Sequence, residues 1–185
     1  MPFSESCELL LAAACLVAAL VAHQERHHWR VLGLLLIAGT SLVGSRLAGA
    51  QMELRLVHQA LSTHSWDISL LLIAIGSVRG TTRHLVVIAL AALFSWLPDP
   101  LVLTGNIIIL CLMALPWRSR NWPYAAAGSL LFAIATLAVG LHGEWLGIQR
   151  QDLSHLLLML AILSWMLAQL DGTRWARSPS PFLTS

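Results

Sequence analysis

Seven apolar stretches, joined by short polar segments that gather arginine on alternate sides, leave this chain few folds to choose from. The stretches are Cys7–His23, Trp29–Ala48, Ala60–Val78, His84–Trp96, Leu101–Trp117, Trp122–His142 and Leu153–Leu170. A helix needs about 20 residues to cross a hydrocarbon core of about 30 Å. Most of the stretches approach that length, while the fourth is short and ends at Pro98 and Pro100. Charged residues make up 11% of the 185 residues, against roughly 25% in a soluble domain. Too little polar surface remains to coat a water-soluble particle. In lipid, backbone polar groups must be satisfied inside helices. The expected fold is therefore all-α: a polytopic integral membrane protein, a seven-transmembrane-helix bundle in one domain over residues 1–170. Residues 171–185 are polar and rich in Pro and Ser, and read as a flexible tail. If the fourth and fifth stretches form one re-entrant hairpin, the count falls to five or six.

All eleven basic residues are arginines. With the N-terminus outside, the outer joints hold Arg46, Arg55 and Arg150. The inner ones hold Arg26, Arg30, Arg79, Arg83, Arg118, Arg120, Arg174 and Arg177. The acids run the other way: Glu5, Glu8, Glu53, Asp67, Asp99, Glu144 and Asp152 outside, Glu25 and Asp171 inside. The positive-inside rule then places the C-terminus in the cytoplasm and the chain in the inner membrane as a multi-pass protein. The basic rim suits anionic lipid head groups, so membrane lipids are the expected partners. No interleaving of aromatic and basic residues points to nucleic acid. Oligomeric state and partner proteins leave no signal. Most tryptophans, Trp29, Trp66, Trp96, Trp117, Trp122, Trp145 and Trp175, fall near predicted helix ends, the usual interfacial belt. The chain has no lysine, which excludes a retinal Schiff base. Cys7, Cys15 and Cys111 show no spacing pattern, so neither a disulfide framework nor a cysteine metal site is indicated. Met1–Glu8 carries two glutamates and no basic start, unlike a secretory signal.

Ionisable groups within a span are functional candidates because burying them in hydrocarbon is costly. At a rise of about 1.5 Å per residue, Asp67 lies about 18 Å above Arg79 and Glu8 about 22 Å above His23. Arg46 and His155 each lie about 24 Å above the inner ends of their helices. These residues share one slab in the outer half, and Ser41 and Ser45 reach a similar depth. Asp152 and His155, three apart, share a helix face, where a carboxylate can orient an imidazole. Asp152 also suits the positive end of its helix. Arg46 can pair with Glu8 or Asp67. The chain has no HExxH or CxxC motif. Zinc needs three or four ligands, which His155, His64 or His58, Asp67 and Glu8 supply only if their helices converge.

The seven-helix count, the outside N-terminus, Asp67 and Gln151-Asp152-Leu153-Ser154-His155 resemble the CREST superfamily of membrane hydrolases, which includes alkaline ceramidases and adiponectin receptors. The likeness is nearest to its small bacterial members. Glu8, Ser41, Asp67 and His155 match the family's acidic, serine, aspartate and histidine positions. The resemblance implies a zinc-activated water attacking a lipid amide or ester. It makes His155, His64 and Glu8 the metal ligands, Asp67 an orienting carboxylate, Asp152 the support of His155, and Ser41 a stabiliser of the reacting oxygen. The chain departs from the family twice. Ser45 or Ala48 stands where the second helix should carry a histidine, and Gln151 and Met159 are the residues four away from His155. A member that recruits His58 or His64, or a degenerate one without catalysis, fits those departures. The alternative is a non-enzymatic membrane subunit or scaffold whose buried charges form structural ion pairs. Gly44, Gly49, Gly76 and Gly80 would give it small surfaces for close helix packing. No inverted repeat supports a transporter.

Overall fold

Runs of Leu, Ala, Ile and Val with few interior glycines or prolines satisfy their backbone most readily as helix. In the computed structural model, residues 3–47, 65–78, 80–139, 144–145 and 148–170 are described. They form seven α-helices. These are α1 (Phe3–Gln24), α2 (His28–Leu47), α3 (Ser65–Ile75), α4 (Thr81–Trp96), α5 (Asp99–Met113), α6 (Trp122–Ala133) and α7 (Arg150–Ala168). A π-helical segment, Ile134–Val139, prolongs α6. An antiparallel hairpin, Glu144–Trp145 with Ile148–Gln149, precedes α7. The all-α expectation holds. Four helices are long and apolar enough to cross a membrane: Glu5–Gln24, His28–Ser45, Trp122–Val139 and Arg150–Ala168. The other three are apolar but shorter.

Helix limits differ from the sequence reading where proline intervenes. The fifth stretch does not continue to Trp117. Leu115 is extended, as the residue before Pro116 must be, and Pro116–Arg118 forms a 3₁₀ turn. The end of α4 agrees with that reading: extended Leu97 closes it at Trp96, before Pro98. The last helix begins earlier than expected, at Arg150, so Asp152 lies in its first turn.

Consecutive helices alternate in direction, as contacts at one end establish. The backbone N–H groups of Trp29 and Arg30, opening α2, donate to the carbonyl of Gly76, just past α3. Trp29 Nε1 donates to His84 Nδ1 near the start of α4 at 3.0 Å. Arg118, beyond α5, donates to Ala74 in α3. Ser119 donates to Ala168 in the last turn of α7. Thus α3, α5 and α7 end where α2, α4 and α6 begin. This end carries Arg26, Arg30, Arg83, Arg118 and Arg120. The opposite end carries Glu5, Asp67, Asp99 and Asp152 in the opening turns of α1, α3, α5 and α7.

Packing follows the same order. α1 lies between α2 and α7, and α7 in turn lies against α6. Both sides of α1 are therefore covered, and Ala12, Cys15, Ala18, Ala19 and Ala22 are small enough for close approach. α3 is enclosed on every side: Ser69, Leu70, Leu71, Leu72, Ile73 and Ala74 are all buried in succession. A helix buried around its whole circumference is an interior helix. On α4 and α5 the reverse holds, with Leu85, Ile88, Leu93, Leu101 and Ile108 exposed. In a membrane protein such faces meet lipid. Trp96, Trp117 and Trp122 are exposed at helix ends, as an interfacial belt requires, whereas Trp165 is buried.

Candidate functional site in the acid-rich half

α1 and α7 cross with polar residues in their contact. Glu8 is 6% exposed, Asp152 4% and His155 8%, with Cys7 and Ser154 buried beside them. Their positions follow from helix geometry. Glu8 lies on the covered side of α1 with Leu11, Ala12 and Cys15. Asp152 and His155 begin the buried row continued by Leu158, Ile162 and Trp165. Glu8 and Asp152 are thus both buried on helices that pack against each other, with Cys7 next to Glu8 in the chain. Among the described side chains, which do not include that of Arg46, none forms an ion pair with either carboxyl. Asp152 Oδ1 is buried and receives no hydrogen bond from a described residue. The dipole of α7 favours an acid in its first turn, but a surface carboxylate would satisfy that as well. Burial on a helix packed against one that carries a second buried carboxyl is a separate feature.

Asp67 faces another neighbourhood. Asn106 Nδ2 of α5 donates to Asp67 Oδ1 at 2.6 Å. Asp67 and Trp66 line a cleft of about 200 Å³ between α3, α5 and α6. Trp66 meets Phe132 with ring centroids 6.3 Å apart, and Phe132 stacks on Trp165 at 5.5 Å. Ser41 is buried on α2 in the row Leu34, Ile37, Ala38, Ser41. His58, His64 and the side chain of Arg46 lie outside the described residues, as does the 171–185 tail.

The structure thus places Glu8 and Asp152 on neighbouring helices and attaches Asp67 to Asn106. Zinc requires three or four ligands within about 2 Å of one point. Among the described residues no three His, Cys, Asp or Glu side chains stand together as such a group. His155 and Glu8 therefore do not complete the implied zinc centre from described donors, and His64, the third implied ligand, lies outside them.

Two residues that the sequence analysis did not single out as site candidates belong here. Asn106 is a polar side chain within an apolar run, which is itself a signal. Cys7 adjoins Glu8 and carried no such signal.

At the arginine-rich end the polar groups serve architecture. Arg30 Nε donates to the Ile73 carbonyl at 3.2 Å, and Arg118 to that of Ala74, so two guanidinium groups face the negative end of α3. Burial lowers the Arg118 pKa from its ordinary value, and the group remains cationic because guanidinium stays protonated in proteins. Gly76, at φ 69°, closes α3 in the left-handed conformation that glycine adopts without steric cost.

No family model matches the chain, and no curated protein or solved structure matches it either.

Proposed function

We propose that the chain is a seven-span protein of the inner membrane, with the acid-rich helix ends outside and the C-terminus cytoplasmic. We propose further that Glu8 and Asp152, with His155, form the acid–base centre of a ceramidase-like hydrolase acting on a lipid amide or ester. The observation that carries this reading is the burial of two carboxyls, Glu8 and Asp152, on the packed helices α1 and α7. Two buried carboxyls are suited to divide the work of hydrolysis. One accepts a proton from a water as that water attacks the carbonyl carbon. The other gives a proton to the departing amine or alcohol. His155, one turn along α7, orients this pair, and Ser41 steadies the reacting oxygen. Alternating helices and acids at the starts of α1, α3, α5 and α7 support the seven-span reading, as does the arginine excess at the other end.

The test uses the full chain in lipid nanodiscs, with release of fatty acid from an N-acyl sphingoid lipid and from a fatty-acid ester as the readout. The wild type is expected to turn over at least one of the two. Glu8→Gln and Asp152→Asn should each lower kcat by about 100-fold or more, while Glu25→Gln at the other end leaves it unchanged. Turnover insensitive to both substitutions would contradict the assignment. A second reading, a non-enzymatic membrane subunit, has in its favour the close backbone approaches at Gly33 and Gly128. Absence of turnover with both lipid classes would support it instead.

A further inference from the structure

The helix α4 is held to the bundle at few points. Within Thr81–Trp96 only Val87 is buried. Toward the far end Phe94 packs on α5, where an added Cβ at Gly105 would meet its ring at 2.6 Å. At the near end Trp29 Nε1 of α2 donates to His84 Nδ1 at 3.0 Å, with the two rings 5.6 Å apart and tilted by 41°. Among the described residues no other side-chain hydrogen bond joins α4 to another element. Gly80 precedes the helix at φ 92°, a left-handed backbone that glycine adopts without steric cost. Nothing lies within 4 Å of where its Cβ would stand. The near end of α4 thus has an open glycine joint beside a single polar fastening.

The chemistry of that fastening is specific. An indole N–H only donates, so His84 Nδ1 must offer its lone pair, and the imidazole must be neutral with its proton on Nε2. A proton added at Nδ1 sets two donors face to face and removes the bond. Trp29 and His84 are both partly exposed, so water has access to the pair. The ionisable groups of the elements that meet here are His23, Glu25, Arg26 and His27 at the end of α1 and in the turn after it, His28 and Arg30 on α2, Arg83 on α4, and Arg118 and Arg120 beyond α5. Glu25 stands 3.7 Å from His27, while Arg30 and Arg118 donate to carbonyls of α3. Among the described residues no acid forms an ion pair with His84, so an added proton there gains no counter-charge in place of the lost bond. Arg79 and Asp171 lie outside the described residues.

We propose that the Trp29–His84 hydrogen bond is a proton-operated latch. Neutral His84 fastens the near end of α4 to α2, and protonation releases it about the Gly80 joint. The proton and the indole N–H compete for one lone pair, so acid opens the latch and base closes it. The latch depends on neither the hydrolase reading nor the orientation. Under the proposed orientation it responds to the pH of the cytoplasm.

The test uses the full chain, its native cysteines replaced by alanine, in nanodiscs that expose both faces to buffer. Nitroxide labels at Gln24→Cys on α1 and Thr82→Cys on α4, both exposed positions, report their separation by double electron–electron resonance. Spectra are taken at about pH 8 and about pH 5, the range in which histidine changes charge. A narrow distance peak is expected at the higher pH, and its loss to a broad or displaced distribution at the lower. A reference pair that omits α4, Gln24→Cys with Arg120→Cys, should not change. Trp29→Phe, which lacks the donor, should give the released distribution at both pH values. His23→Gln with His28→Gln, at exposed positions, should keep the full response. A pH response that persists in Trp29→Phe, that vanishes in the His23, His28 variant or that is equal in the reference pair would overturn the proposal. So would a distance independent of pH in the otherwise unaltered chain, as when an imidazolium stays on the Trp29 ring by cation–π attraction. That last result decides the matter even if Trp29→Phe does not fold. None of these readouts involves hydrolysis, so failure here and failure of the proposed function are distinguishable.

Discussion

Three helix-interior glycines divide cleanly by what a methyl group would meet. At Gly33 an added Cβ would sit 2.8 Å from the Ser69 carbonyl oxygen of α3, and at Gly128 it would sit 2.9 Å from the Ala161 carbonyl oxygen and 2.6 Å from the Trp165 ring. At Gly39 nothing lies within 4 Å. Gly33→Ala and Gly128→Ala are therefore expected to lower stability by about 1–3 kcal/mol, the range for overpacking. Gly39→Ala should be neutral or gain about 0.5–1 kcal/mol from helix propensity. Melting temperatures of the three variants in one detergent check this ordering, and a Gly33→Ala protein as stable as Gly39→Ala would mean that α2 and α3 are further apart than described. The Arg118 guanidinium gives a similar contrast. Arg118→Ala leaves the Ala74 carbonyl near the end of α3 without its donor, at about 1–3 kcal/mol. Arg120→Ala, at an exposed position, should change the melting temperature little.

At the level of the element, the turn between α5 and α6 fastens α7 as well as joining its own helices. Ser119 donates to Ala168, Asn121 Nδ2 donates to Leu167 at 3.2 Å, and Ser119 pairs with Leu170 as an isolated bridge. These contacts satisfy carbonyls that the end of α7 would otherwise leave open. A Ser119→Ala, Asn121→Ala double variant is expected to fray that end. Hydrogen exchange should show faster exchange of the 165–170 amides, with those of 152–158 unchanged; uniform protection would show that the turn is not what holds α7. The existence of these helices was legible from hydrophobic runs, because in a chain this apolar any long run must close its hydrogen bonds on itself. Their limits were less legible. The early end of α5 depends on Leu115 being extended before Pro116, and the early start of α7 on a two-residue hairpin whose sequence has no strong turn signal. The placing of Glu8 and Asp152 on packed helices follows from α1 and α7 being neighbours, which no local pattern encodes. Asp67 was recognised as a candidate from its depth, but its partner Asn106 lay in a helix read as plain.

At the scale of the molecule, charge, helix direction and burial follow one order. Acids open α1, α3, α5 and α7 at one end, where helix dipoles favour them, and arginines meet the C-terminal carbonyls of α3 at the other. The buried carboxyls Glu8 and Asp152 lie in the acid-rich half. The proposed function places that half outside, with its lipid substrate in the outer leaflet. Single cysteines at Glu144 and at Arg120, in a chain whose native cysteines are replaced by alanine, test this directly. With intact spheroplasts and a membrane-impermeant maleimide, the Glu144→Cys chain is expected to label without permeabilisation and the Arg120→Cys chain only after it. Labelling of Arg120→Cys from outside, or of both positions alike, would contradict the orientation on which the account rests.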